Sequence, residues 1–332
     1  MKQSQGVMFL AELQNQGLAE NCAELASAGL KIAGQLGEEL SAVLIGTGIA
    51  ESAQELIGLG VKKVYVVDNP DLTYYHSESY LTVMTRICQD ISPKVFLLGH
   101  TVLGRDLGTR LAFRMNTGLI PNCVDLEGDP DTGLVQMTRP IYGGKAHGIY
   151  TIESGRMQMA TVAPKIFEPT PRDDSRQGEI ISYTHEVDGA SLKLQVVERF
   201  EDSVEGVKLE AADVIVSGGR GVGSAEDFEV LKELAKLLGG CVGASRAAVD
   251  SGWMHSNLQV GLTGKLVTPN VYIAIGISGA LQHMAGCSRA KTIIAINLDH
   301  EAPIFKMAHF GVVGDWREIL PPLLERYRAL RC

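Results

Sequence analysis

The sequence predicts an α/β protein of two domains, each a parallel β-sheet covered by helices on both faces. Three observations predict it. Short β-branched runs such as Val271 to Ile277 and Thr292 to Ile296 alternate with stretches of helical apolar spacing. Several of these runs are apolar on both faces, which suits a strand buried between helical layers rather than one with a wet face. The length, 332 residues with a hydrophobic share of 45%, exceeds what a single core commonly organises.

The first part of the chain reads as a nucleotide-binding-like α/β domain. Ala42 to Gly46, Val64 to Val67 and Val95 to Leu98 are strand candidates, separated by helical stretches over 21–36, 50–59 and 75–92. A further helix is expected from Asp106 to Met115. The pattern then changes to short polar strands, Leu134 to Arg139, His147 to Glu153 and Gln158 to Val162. Pro164, Pro169 and Pro171, with scattered charge up to Gly178, mark a long surface loop. A last strand-like segment, Leu192 to Phe200, runs into the acidic Glu201-Asp-Ser-Val-Glu-Gly206, where a domain boundary is expected. The division is therefore 1–205 and 206–332.

The second domain is expected to be a doubly wound parallel sheet. Asp213 to Ser217 is a strand ending in Gly218-Gly-Arg-Gly-Val-Gly-Ser224. Helical spacing follows from Glu226 to Leu238, with Ser224 as N-cap, Asp227 as a capping partner and Gly239-Gly240 as a stop. Turns follow at Gly243 to Ala247 and Val260 to Lys265. The strand Val271 to Ile277 runs into a helix start over Ser278 to His283. Thr292 to Ile296 ends at Asn297, and Gly311 to Asp315 precedes a final amphipathic helix, Trp316 to Arg331. Ligands of such sheets bind beyond the carboxyl ends of the strands, where Arg220, Ser278, Asn297 and Asp315 fall. Taken singly, each has a plain reading: Arg220 as a solvated charge, Ser245 and Thr263 as caps, Asn297 as a turn residue. Five such turns converging on one sheet edge favour a site.

Three sharper motifs come close in this region without matching. Gly219-x-Gly221-x-x-Ser224 lacks the third glycine of a dinucleotide fingerprint and the acidic residue about twenty positions on. Gly261 to Lys265 has its glycines too close for a phosphate loop, and Leu266 stands where magnesium would need a hydroxyl. Gly276-Ile-Ser278-Gly-Ala280 approximates a hydrolase nucleophile elbow, with Ala280 replacing the second glycine. A serine hydrolase using Ser278, with Asp299 and His300 or His309, is thus one alternative; too little chain follows the serine for the usual sheet.

Composition sets limits. A net charge of -9 without a basic cluster argues against nucleic acid. The six cysteines form no C-x-x-C and read as reduced thiols. The histidines show no ligand spacing, so no metal is expected. No signal-like segment or membrane-length apolar run is present, and a cytoplasmic, not membrane-embedded protein is expected.

Val271-Tyr-Ile-Ala-Ile-Gly-Ile-Ser-Gly-Ala-Leu-Gln-His283, with Gly286 and Ile294-Ala-Ile-Asn297, resembles the signature of electron-transfer flavoprotein α subunits. Ser217-Gly-Gly-Arg-Gly221, Gly243-Ala-Ser-Arg-Ala-Ala-Val-Asp250 and Glu301-Ala-Pro-Ile-Phe305 are similar too, as upstream are Gly104-Arg-Asp-Leu107, Thr138-Arg-Pro140, Gly143-Gly144, Gln158 to Pro164 and Phe167-Glu-Pro169. The resemblance implies FAD in the C-terminal domain, single-electron transfer, a β subunit as heterodimer partner, oxidoreductase activity only within that complex, and a hinge at the domain boundary. By the same resemblance Arg220 lies over the isoalloxazine, Ser245 and Thr263 hydrogen-bond near its reactive edge, and His283 faces the pyrimidine carbonyl. Val260, Gly261, Leu262, Ser278, Gly279, Ala280, Leu281 and Gln282 line the flavin and diphosphate, while Asn297, Asp315 and Trp316 take the adenosine half. Leu262 departs from the family, standing where members often have glutamine.

The resemblance leaves two versions open. One is a carrier with a single FAD, and AMP in the partner, taking electrons from acyl-CoA dehydrogenases to a quinone reductase. The other is a bifurcating carrier with a second FAD in the β subunit, oxidising NADH and dividing electrons between ferredoxin or flavodoxin and an acyl-CoA dehydrogenase-type flavoenzyme. Leu72-Thr-Tyr-Tyr-His-Ser-Glu-Ser-Tyr80 resembles α subunits of anaerobic bacteria and tilts the reading toward bifurcation. A redox-inert module holding an adenine nucleotide is the remaining alternative.

Overall fold

The structure, a computed structural model, describes residues 4–14, 17–153, 156–183 and 209–331. It divides into two compact units, Met1–Arg199 and Phe200–Cys332. The expected strand Leu192 to Phe200 and the boundary stretch Glu201 to Gly206 lie outside the described residues.

In the first unit the strands are β1 (Val7–Ala11), β2 (Leu13–Gln14), β3 (Gly17–Leu18), β4 (Leu40–Gly46), β5 (Lys63–Asp68), β6 (Val95–Gly99), β7 (Leu119–Cys123), β8 (Asp125–Gly128), β9 (Val135–Ile141), β10 (Ala146–Tyr150), β11 (Gln158–Val162) and β12 (Glu179–Ser182). The helices are α1 (Asn21–Leu36), α2 (Ala50–Gly58), α3 (Ser77–Ile91) and α4 (Val102–Arg114). Seven strands form one sheet in the order β12-β5-β4-β1-β6-β11-β7, every neighbouring pair parallel. Strands β10-β9-β8 make a separate antiparallel sheet.

Strand β1 is central, with Val7 opposite both Leu40 and Val95. The sequence reading passed it over, although its five residues are all apolar and buried. Its side chains alternate as a pleat requires: Val7 and Phe9 join the core with Leu25 and Leu56 of α1 and α2, Met8 and Leu10 the core with Met84 and Leu111 of α3 and α4. Strand β11 corrects a second expectation. Gln158 to Val162 is not one of a set of short polar strands but is buried throughout, between β6 and β7. Its polar groups are satisfied internally, which removes the burial penalty: Gln158 Nε2 donates to the Gly133 carbonyl at 3.0 Å, and Thr161 Oγ1 accepts from Asn122 N–H at 2.9 Å. Helix α4 begins earlier than expected because Thr101 caps it, accepting the Gly104 N–H at 2.9 Å.

The second unit contains β13 (Val214–Gly218), β14 (Cys241–Ala244), β15 (Val271–Ile275), β16 (Thr292–Asn297) and β17 (Phe310–Val313), with α5 (Phe228–Leu237), α6 (Arg246–Asp250), α7 (Leu281–Cys287) and α8 (Trp316–Arg331). The sheet order is β14-β13-β15-β16-β17, all parallel. Tyr272 and Ala274 pack with Met284 and Cys287 of α7 on one face. Val216, Ile273 and Ile275 pack with Leu231 and Leu320 of α5 and α8 on the other. The sheet is therefore doubly wound, and its order reverses between β13 and β15, the position where ligands of such sheets bind.

Candidate functional site

At the reversal two glycine-bearing turns are pressed together. Gly219 N–H donates to the Ile275 carbonyl at 2.8 Å, and Gly221 N–H to the Gly276 carbonyl at 3.0 Å. A Cβ on Gly219 would stand 2.2 Å from the Gly276 oxygen, and one on Gly276 would stand 2.6 Å from the Gly221 carbonyl carbon. Gly276 also has φ +62°, so side chains are excluded on both counts. This close approach leaves Arg220 exposed at the start of a 3₁₀ turn, Arg220–Val222, over the carboxyl edge of the sheet.

Beyond β15 the chain does not enter a helix at Ser278 as the sequence suggested. Gly276 and Gly279, φ +62° and +86°, hold an extended turn, and α7 starts only at Leu281 and runs seven residues. The field of such a short helix near Ser278 is correspondingly modest. Ser278, Ala280, Leu281 and Gln282 are exposed, whereas Gly279 is buried against Ile304, whose N–H donates to the Ser278 carbonyl at 3.0 Å. The loop carrying Val260 to Thr263 docks on both sides of this turn: Val260 N–H donates to the Ala244 carbonyl at 2.9 Å, Leu262 N–H to the Gln282 carbonyl at 2.7 Å. Gly261 is buried, Leu262 is 64% exposed, and exposed Thr263 Oγ1 accepts from Gln259 Nε2 at 3.0 Å. Ser245 caps α6, its Oγ accepting the Ala248 N–H at 3.4 Å, while its own N–H donates to the Gly218 carbonyl at 2.9 Å. Arg220, Ser245, the Val260 to Thr263 loop and the Ser278 to Gln282 turn thus converge through backbone contacts.

The three residues expected on the adenosine half are more engaged. Asn297 Nδ2 donates to the Ile277 carbonyl at 2.9 Å, and its Oδ1 accepts the Asp299 N–H at 3.0 Å. Asp315 Oδ1 accepts the Arg317 N–H at 2.9 Å. Trp316 is 5% exposed within the core under α8, and the Arg317 guanidinium lies 4.7 Å from its ring centroid. Arg317 itself escaped the sequence reading. Its Nη2 donates to the Val222 carbonyl at 3.0 Å and to Asp227 at 2.7 Å, tying the turn after β13 to the start of α8. An arginine two residues after a capping aspartate was the available signal.

His283 is buried, with Nε2 2.9 Å from the Tyr272 hydroxyl. Burial pushes its pKa down to about 4, so the ring is neutral at ordinary pH. Its Nδ1 has no hydrogen-bond partner among the described residues. Tyr272 was read only as part of an apolar strand. The residues fit a flavin nucleotide: an exposed guanidinium, the hydroxyls of Thr263 and Ser278 and the Gln282 amide surround one sheet edge, with the His283 imidazole buried beneath the Val260 loop, as a polar ring system and a diphosphate require. The hydrolase arrangement is not favoured. His309 Nδ1 accepts the Ile293 N–H at 3.0 Å, at the amino end of β16 and away from Ser278 at the carboxyl edge.

Among the described residues no group of His, Cys, Asp and Glu could hold a metal ion, and no helix is long and apolar enough to cross a membrane.

Two family models match this sequence: "Electron transfer flavoprotein domain" over residues 7–188 and "Electron transfer flavoprotein FAD-binding domain" over residues 208–288. The chain is 41% identical to an electron transfer flavoprotein subunit alpha of Thermoanaerobacterium thermosaccharolyticum, covering 100% of both chains. It is 44% identical to the subunit alpha of Megasphaera elsdenii, over 96% of this chain and 95% of that one. With subunit LctC of the lactate dehydrogenase (NAD(+),ferredoxin) of Acetobacterium woodii it shares 38% identity, over 91% of this chain and 72% of that protein.

Proposed function

This chain belongs to the electron transfer flavoprotein family as an α subunit, and from that premise we propose that it binds one FAD across the carboxyl edge of the β13 to β17 sheet and transfers electrons within a heterodimer. Flavin binding and the pairing with a β subunit follow from the family. The working division is 1–205 for a partner-contacting domain and 206–332 for the FAD domain, supported by the two compact units.

The observation that carries the site assignment is the convergence of Arg220, Thr263, Ser278 and Gln282, all exposed, on the edge where the strand order reverses. When bound, a flavin supplies reversible one- and two-electron redox chemistry. Arg220 would hold a permanent positive charge beside the ring and favour its reduced, anionic form. His283, neutral, would donate a hydrogen bond to a pyrimidine carbonyl without adding charge. Ser245 and Thr263 would hydrogen-bond near the reactive edge. The backbone of Val260, Gly261, Leu262, Gly279, Ala280 and Leu281, with Ser278 and Gln282, would line the ring and diphosphate. Asn297, Asp315 and Trp316 would bound the adenosine half. Leu262, being exposed and apolar, would contribute contact but no hydrogen bond.

The reading extends to bifurcation: NADH oxidation with electrons divided between ferredoxin or flavodoxin and an acyl-CoA dehydrogenase-type flavoenzyme, with a second FAD in the β subunit. The LctC relative, whose name couples NAD(+) and ferredoxin, supports it. A cytoplasmic setting belongs to the same reading, supported by the buried thiols of Cys22, Cys88, Cys123 and Cys287, none of them in a disulfide. The test is anaerobic: NADH should reduce added ferredoxin through the heterodimer only when the acyl-CoA acceptor enzyme is present. NADH-independent transfer from an acyl-CoA dehydrogenase to a quinone reductase would instead identify a simple carrier with AMP in its partner.

A further inference from the structure

We propose that Tyr272 is a positioning residue for His283: its hydroxyl donates to His283 Nε2, fixes the ring in the Nδ1–H tautomer and so leaves Nδ1–H as the donor on the side of the Val260 to Thr263 loop. The proposal rests on the reading above that His283 meets the bound flavin.

Tyr272 comes from β15, the strand at which the sheet order reverses, and is fully buried; His283 comes from α7 and is 7% exposed. Their polar atoms are 2.9 Å apart. A neutral imidazole has one donor and one acceptor nitrogen, and which is which depends on its partners. The groups near enough to take the Tyr272 proton are the His283 nitrogen, the Cys287 sulfur and the Ser217 hydroxyl, and of these the His283 nitrogen is the one in hydrogen-bond geometry. An imidazole nitrogen is the far better acceptor, since a thiol sulfur is a weak one. Burial keeps the phenol protonated and the imidazole neutral, so the protons can be placed: Tyr272 O–H to Nε2, and the ring proton on Nδ1.

Nδ1 is the atom without a hydrogen-bond partner. The Val260 backbone lies near enough to act on the ring as a hydrogen-bond acceptor and favour its charged form, though not in close hydrogen-bond geometry, which puts the ring against the loop that carries Gly261 to Thr263. A second buried hydroxyl, Ser217, stands behind the phenol: it favours the phenolate form of Tyr272 without reaching hydrogen-bond geometry. The histidine thus bridges a buried tyrosine and the candidate flavin loop. A buried donor without a well-aligned acceptor costs stability until the loop or a ligand oxygen meets it.

The experiment uses the heterodimer with this chain labelled with ¹⁵N-histidine, and His283→Gln to identify the His283 signals among the chain's eight histidines. Long-range ¹H–¹⁵N spectra read the tautomer directly. In the wild type Nδ1 should carry the proton; Nε2 protonation overturns the proposal without any variant having to fold. In Tyr272→Phe the tautomer preference should fall about tenfold, the equivalent of one buried hydrogen bond, and the flavin midpoint potential should shift with it. Unchanged ring shifts in a folded, flavin-loaded Tyr272→Phe heterodimer would also overturn it. A heterodimer that folds without flavin yet shows the Nδ1–H tautomer would instead defeat the flavin assignment and leave the Tyr272 to His283 contact standing.

Discussion

Gly221 donates its backbone N–H to the carbonyl of Gly276 across 3.0 Å, and no side chain fits between them. That contact joins the turn bearing Arg220 to the turn bearing Ser278. A graded pair of substitutions tests it. Gly239 has φ +68° with nothing within 4 Å of an added Cβ, so Gly239→Ala should cost only the left-handed backbone penalty, about 1–2 kcal/mol. Gly276→Ala adds a backbone collision and should cost on the order of 3 kcal/mol or more. Urea unfolding followed by tryptophan fluorescence reads both; equal losses would show that the contact is not tight.

Arg220→Ala should lower the flavin midpoint potential. A charge-assisted hydrogen bond of about 1.5–3 kcal/mol corresponds to roughly 30–60 mV for a two-electron couple. Arg220→Lys should recover part of the shift, because the charge returns without the planar fork. Spectroelectrochemical titration gives the answer, and an unmoved potential removes Arg220 from the ring.

His283 makes the second unit sensitive to acid. Its pKa falls from 6.5 to about 4 on burial, so the unfolded chain takes up a proton before the folded one does. The stability it supports is complete above about 6.5 and is lost as pH falls toward 4, roughly 2–4 kcal/mol in all. The two tryptophans, Trp253 and Trp316, both lie in the second unit, so their fluorescence follows that unit. His283→Gln should flatten this pH slope.

The first unit should respond in the opposite sense through Glu12. Thr101 Oγ1 donates to its carboxyl at 2.8 Å, but burial outweighs that bond and raises the pKa from 4.5 to about 7. Here the folded state keeps a proton that the unfolded state has lost, so stability is complete below about 4.5 and declines as pH rises through about 7. Glu12→Gln should therefore stabilise the first unit above pH ~7 by roughly 1–3 kcal/mol. Far-ultraviolet circular dichroism melts, compared with the tryptophan signal, separate it from the second unit.

Burial pushes the thiols of Cys22, Cys88, Cys123 and Cys287 up to about 12. None should react with a disulfide reagent in the native protein, because the thiolate is the reactive form. Half-buried Cys241 should be labelled before any of these four. Fast modification of Cys287 would contradict the packing around Tyr272.

Much of this architecture was legible because helices and turns announce themselves locally. Helix α1 spans Asn21–Leu36 as the sequence suggests, with Gly37 in a left-handed conformation ending it, and the turns after β13 and β15 are marked by their glycines. What escaped depended on distant partners. Gln158 and Thr161 look like surface residues until Gly133, in the turn between β8 and β9, and Asn122, on neighbouring β7, meet them. Tyr272 looks like any aromatic in an apolar strand; only the return of α7 brings His283 to its hydroxyl. Asn297 satisfies its own turn, as its residue type allows, and Trp316 packs in the core, whereas the engagement of Asp315 with the Arg317 N–H emerges only from the structure.

The most direct measurement is the flavin content of the purified heterodimer, from its visible spectrum and the protein concentration. Two flavins per heterodimer, one of them lost in Gly276→Ala, are expected if this chain holds FAD at the reversal of its sheet and its partner holds a second. A single flavin would reduce the account to a simple carrier. A folded heterodimer with no flavin would contradict its central claim.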